Sequence, residues 1–238
     1  MRFRIAGSLC ALVLFTGFTL MPSAGVEGTR WRQFPIRFRF NAANAPFARE
    51  QVSRILTQAL ELWNGVDACA LHVELGEITR VTASQALSGG TQENVIVFDQ
   101  KFKKHFPETS RATLAVGRAF KEGGDYVRGV IVINAVAAAT ADPERLKIIV
   151  AHEAGHVFGI GHAAERSSLM FPVVREVGKL GDDDIAAITF LYPRKEGLGT
   201  APLGCATVRG ADELPPGRGS LMMLGMFLFW PFWRKLQW

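Results

Sequence analysis

Apolar side chains recur along this 238-residue chain in two periods, and the switches between them outline the elements it predicts. In Trp31 to Phe40 (WRQFPIRFRF) the second half alternates, with Ile36, Phe38 and Phe40 on one face and Arg37 and Arg39 on the other. A period of two is that of a strand with one buried face. From Phe47 to Trp63 the period lengthens. Val52, Ile55, Leu56, Ala59, Leu60, Leu62 and Trp63 fall at three- and four-residue spacings, which predicts a helix with one face packed on a sheet. Leu71 to Leu75, Asn94 to Phe98 and Gly129 to Asn134 (GVIVIN) read as further strands, with Ser88-Gly89-Gly90 as the turn between the first two. Pro107 to Tyr126 holds a glycine pair among scattered charges and is expected as a long surface loop. Helical period returns from Pro143 to Val157, behind Asp142 as N-cap and with Pro143 at the first helical position.

The two ends read differently. Arg2 and Arg4, the apolar run from Ile5 to Leu20 and the small residues Ser23-Ala24-Gly25 predict a signal peptide over residues 1–25 and a secreted or extracytoplasmic protein. The alternative, a membrane anchor, meets a run that is short for a span. Cys10 follows Leu9, where a lipoprotein signal wants a small residue, so lipid attachment there is not expected. Residues 26–196 form the expected folded domain. Residues 197–220 are a linker rich in Gly and Pro, and 221–238 a hydrophobic tail in which LMMLGMFLFWPFW, Leu221 to Trp233, is followed by Arg234-Lys235. As a helix that run would reach about 20 Å, less than a bilayer core of roughly 30 Å. Three readings stand: packing onto the domain, membrane association through interfacial tryptophans, and a likeness to the tripartite sorting tails of bacterial surface proteins, with Gly204-Cys205 as the candidate motif.

Composition adds little beyond a globular class, with 48 % hydrophobic and 21 % charged residues. The net charge of +5 owes four cations to the ends, and the remaining basic residues are interleaved with acids, so no nucleic-acid partner is expected. Cys69 and Cys205 either pair or leave Cys69 as a free buried thiol; neither sits in a metal spacing.

The chemistry is concentrated in HEAGHVFGIGH, which takes three of the five histidines. His152 and His156, four residues apart on a predicted helix, project from one face and can meet a single ion. Three imidazoles with a fourth position open to water suit a catalytic zinc. Gly159 can take the positive φ that ends the helix and returns His162 toward the same metal. Glu153 points to a different side, placed to take a proton from the attacking water and deliver it to a leaving amine. His72 and His105 read as structural or solvent-exposed.

On these residues the chain resembles the metzincin zinc metalloproteases. Ser167-Ser168-Leu169-Met170-Phe171-Pro172 looks like their Met-turn, and LMFP followed by Asp183-Asp184-Ile185 and Phe190-Leu191-Tyr192 is similar to the matrixins in particular. The likeness covers roughly Arg30 to Arg194. It implies an α+β zincin-like domain: a mixed twisted sheet of about five strands, an active-site helix and a C-terminal helix. It also implies His152, His156 and His162 as zinc ligands, Glu153 as general base, Met170 as the floor beneath the metal, and Pro172 to Val174 as the border of the substrate pocket. Asp183 and Asp184 would tether the Met-turn; as first-turn carboxylates they also suit plain helix capping.

Several features depart from the vertebrate pattern and look more like a bacterial branch. No cysteine-switch segment is expected before Trp31, Val116, Gly117 and Ile131 stand where a second zinc would find histidines, and only Glu122 and Asp125 are left as weak calcium candidates. Val174 replaces the tyrosine of the pocket wall. The leading expectation is a monomeric, secreted zinc endopeptidase acting on protein or peptide substrates, with Val130 to Asn134 as an edge strand that could hold an extended peptide. The rival is a non-catalytic zinc-containing adhesion or binding protein of the same fold, which would have no need of Glu153.

Overall fold

The computed structural model describes residues 19–21, 29–110, 112–173 and 177–194. Most of the expected signal peptide, Val174, Cys205, the linker and the tail lie outside the described residues. Five strands, β1 (Ile36–Asn41), β2 (Val73–Ile78), β3 (Asn94–Asp99), β4 (Ala115–Glu122) and β5 (Asp125–Asn134), form one sheet in the order β2-β1-β3-β5-β4. The first four neighbours run parallel, and β4 alone is antiparallel, joined to β5 by a hairpin with Gly123 and Gly124 at positive φ. Helices α1 (Arg49–Asn64), α5 (Pro143–Phe158) and α6 (Asp182–Leu191) are the long ones; α2 (Ala83–Leu87), α3 (Phe102–His105) and α4 (Ala135–Ala138) are short connectors.

The arrangement follows from the periods. In β1, Ile36, Phe38 and Phe40 are buried and join the larger core with Val52, Ile55, Leu56, Ala59, Leu60 and Trp63 of α1, while Arg37 and Arg39 turn toward Glu74 and Glu93. Leu62, expected on the same face, is only partly buried and packs at its border. The central β3 and β5 are covered on both faces, as parallel strands usually are. Ile96, Phe98, Ile131 and Ile133 face the larger core, and Val95, Val97, Val130 and Val132 a smaller one closed by Ala83, Ala86, Phe102 and Phe106.

Two expectations are corrected here. The stretch read as a loop from Pro107 to Tyr126 contains the whole of β4. Its alternation is real, with Ala115 and Ala119 toward the larger core and Val116 and Phe120 toward the smaller one, but the inward residues are too small to register as apolar. They are small because α5 lies hard against them: a Cβ on Gly117 would stand 2.2 Å from the Glu153 carbonyl oxygen. It follows that Val130 to Asn134 is not at an edge. That stretch of β5 is paired on both sides, and β2 and β4 are the edges.

Cys69 is buried and makes no disulfide among the described residues, its thiol facing the Ile188 carbonyl and accepting from the Leu71 amide. Burial pushes this thiol up from the ordinary cysteine value.

Candidate active site

Helix α5 begins as the sequence proposes. The Asp142 carboxylate accepts from the Arg145 amide at 2.8 Å, and Pro143 occupies the first turn, where its missing N–H costs nothing. It ends at Gly159, with φ 100° and ψ 10°, while Ile160 N–H returns to the Gly155 carbonyl. Gly159→Ala is therefore expected to lower stability by about 1–2 kcal/mol through left-handed strain. Urea unfolding should read this as a lower midpoint at unchanged slope; an unshifted midpoint would contradict the assignment.

The last carbonyls of a helix have no partner within it. Here the Trp31 indole N–H donates to Val157 at 2.9 Å, the Tyr192 hydroxyl to Phe158 at 2.6 Å, and the Met21 amide to Gly159 at 3.0 Å. Gly161 N–H donates to the Thr19 carbonyl at 2.9 Å, and the Thr19 hydroxyl donates to the His162 carbonyl. Residues 19–21 thus pair with the loop that carries the third histidine. A glycine is needed at 161 because a Cβ would meet Thr19 Oγ1 at 2.7 Å and the Leu20 carbonyl oxygen at 3.1 Å.

The turn brings the three histidines together. Ring centroids lie 4.8 Å apart for His152–His156 and His156–His162, and 5.5 Å for His152–His162. His152 Nδ1 faces the Leu169 carbonyl at 2.8 Å and His156 Nδ1 the Ile160 carbonyl at 2.9 Å. A carbonyl oxygen only accepts, so each Nδ1 carries the proton and each Nε2 keeps a lone pair. Burial holds all three imidazoles below the usual histidine range, and the neighbouring His152 helps bring His156 to about 3. Neutral imidazoles with orienting backbone partners are the donor set that zinc takes. Among the described residues this is the one group of three or more histidine, cysteine, aspartate or glutamate side chains close enough to share an ion. Asp125 is instead ion-paired with Arg32 at 2.9 Å, and with Glu122 it makes no such group.

Glu153 lies 8 % exposed beside His152. Its Oε2 accepts from the Gly117 amide at 2.6 Å, and burial pushes its carboxyl up to about 7 against the pull of that bond. Beneath the histidines, Met170 is fully buried and touches the helix where Gly155 leaves room: a Cβ there would meet Met170 Sδ at 2.4 Å and Trp63 Cζ2 at 2.9 Å. Trp63 also donates its indole N–H to the Ala151 carbonyl at 2.9 Å.

The Met-turn is held by one carboxylate. Asp184, 1 % exposed, accepts from Leu169 N–H at 2.6 Å, Met170 N–H at 3.1 Å, Gly181 N–H at 2.8 Å and the Ser168 hydroxyl. The work expected of the pair falls to Asp184; Asp183 Oδ2 is buried without a hydrogen-bond partner. Pro172 lies on the exposed side of the turn. Gly117, Gly155 and Trp63 were not among the candidate site residues. The run of small residues at alternate positions, Ala115, Gly117 and Ala119, was the signal that could have found the first.

The sequence comparisons agree with this geometry. The matrixin family model matches residues 30–193. Stromelysin-2 of Rattus norvegicus is 25 % identical over 96 % of this chain and 48 % of its own length. Metalloendoproteinase 5-MMP of Arabidopsis thaliana is 34 % identical over 33 % of this chain and 24 % of its own, and matrix metalloproteinase-19 of Homo sapiens 47 % identical over 21 % and 10 %. The chain thus spans about half the length of the first of these relatives or less, and none of the three supports the bacterial-branch expectation. With a match over more than half of its residues, which takes in the histidine helix and the turn at Met170, the chain belongs to the matrixin family.

Proposed function

We propose that this chain is a secreted zinc endopeptidase in which His152, His156 and His162 hold the metal and Glu153 is the general base. The observation that carries the reading is the buried Glu153 carboxylate next to three imidazoles that burial holds below the usual histidine range, two of them oriented by backbone carbonyls. A binding module has use for the imidazoles but none for the carboxylate. Zinc, when bound, supplies a Lewis acid that polarises the scissile carbonyl and acidifies water. Glu153 takes the proton of the attacking water and passes it to the leaving amine. Edge strand β4 offers its free backbone groups to an extended substrate, which is where strand addition belongs once β5 is known to be internal. Pro172 and the residues after it border the pocket for the side chain beyond the scissile bond. The protein acts as a monomer on protein or peptide substrates. The apolar run from Leu221 to Trp233, with its tryptophans and the Arg234-Lys235 pair, supplies the candidate membrane association; no helix among the described residues is long and apolar enough to cross a membrane.

The test is zinc content and cleavage of a quenched-peptide library by the full chain. One zinc per chain is expected, with cleavage abolished by a chelator and restored by zinc. One zinc per chain with no cleavage of any peptide would replace the enzyme reading by the binding one.

A further inference from the structure

We propose that Gly117 is a positioning residue: its backbone N–H, on the outer edge of β4, holds the Glu153 carboxylate, so that the strand offered to substrate also sets the base. Gly117 stands opposite Ile131 in the β4–β5 ladder, yet its N–H goes to Glu153 Oε2 at 2.6 Å rather than to β5. In an antiparallel pair a residue that does not bond its opposite number turns its N–H and C=O away from it. That edge amide is therefore free for Glu153. The carboxylate can reach it only because α5 presses on the strand, and α5 can press there only because position 117 has no side chain. A Cβ would lie 2.2 Å from the Glu153 carbonyl oxygen and 2.9 Å from its carbonyl carbon, both backbone atoms that cannot swing aside.

The same contact constrains the carboxylate. One oxygen is held by a fixed backbone donor, which leaves the other directed to its proton-transfer partner. A hydrogen bond to an ionised group is worth more than a neutral one, and this one limits the rotamers of a side chain that otherwise has three free torsions. Gly129 provides the comparison. It too lies where the sheet meets α5, and a Cβ there would stand 2.5 Å from Val157 Cγ1 and 3.2 Å from Phe38 Cζ, so its nearest obstacles are side chains other than Glu153.

The inference rests on the reading of Glu153 as the base, and its test separates the two. Hydrogen exchange resolved at the Gly117 amide, in the full chain, reads the contact without reference to activity. Exchange should be about tenfold faster in Glu153→Ala than in the parent, and close to the parent rate in Glu153→Gln, whose amide oxygen still accepts. Equal rates in the parent and Glu153→Ala would overturn the proposal even if Glu153 proves essential. In the zinc-loaded protein, Gly117→Ala should lower kcat about tenfold with KM and zinc content kept. Gly129→Ala should lower the melting temperature and leave kcat near the parent value. A kcat loss of equal size in both variants would reduce Gly117 to ordinary packing and sink the idea.

Discussion

Glu153→Ala is expected to keep one zinc per chain and to lose roughly 10³-fold in kcat/KM, within the range that a positioned general base contributes. The metal should stay because the three imidazoles are oriented without Glu153: His152 by Leu169, His156 by Ile160, and His162 by the turn at Gly159. The loss should fall on kcat rather than KM, since a proton is moved only in the transition state. Glu153→Gln sharpens the result, because it preserves an acceptor for Gly117 N–H but cannot serve as a base. It should be as inactive as the alanine variant. A variant that keeps zinc and retains activity within tenfold of the parent would remove Glu153 from its assigned role.

The second large effect belongs to Asp184. Asp184→Ala leaves three backbone amides and one hydroxyl without their acceptor inside the protein. Each stranded donor carries a desolvation cost of about 1–3 kcal/mol, partly relieved by rearrangement or entry of water. A net loss of about 3 kcal/mol is a large fraction of a stability of about 5–15 kcal/mol. For a domain of this size it lowers the melting temperature by roughly 6–12 °C. The damage should reach the metal as well, because the Leu169 carbonyl that orients His152 is carried by the same turn. Chelator competition should find zinc bound about tenfold more weakly, the lower end for loss of an outer orienting partner. The control is one residue away. Asp183→Ala removes a carboxylate whose buried Oδ2 has no hydrogen-bond partner, so it should cost little in melting temperature or zinc affinity. If both substitutions cost the same, the tether assigned to Asp184 is wrong.

These two predictions differ in how far the sequence alone could have carried them. Glu153 was legible because it sits inside an eleven-residue motif on one helix. The 3.6-residue period places His152 and His156 on a common face, and a glycine at 159 supplies the reversal for His162. The Met-turn was legible as a motif, but the division of labour between Asp183 and Asp184 was not. Both are first-turn carboxylates of α6, and only the docking of that helix against Ser168 to Met170 decides which of them meets the amides.

The strand pattern shows the same limit. β1, β3 and the later part of β5 carry branched or aromatic residues on their buried faces, and their alternation or apolar run was readable. β4 was not, because its inward positions are alanine and glycine. The reason for those small residues is a helix thirty-six positions later in the chain, lying so close that a single methyl group at Gly117 would collide with Glu153. Without β4, β5 reads as an edge strand, whereas the open edge on that side of the sheet is β4.

The sequence by itself determined the histidine cluster, the glutamate beside it, the helix that bears them and its two ends, since each depends on residues within a few turns of one another. The tertiary structure decided which strand lies at the open edge, which aspartate binds the turn at Met170, and which backbone amide meets the Glu153 carboxylate. Those outcomes depend on close approach between segments far apart in the chain, where the informative residue is the small one that lets the other come near, and a missing side chain leaves no periodic mark.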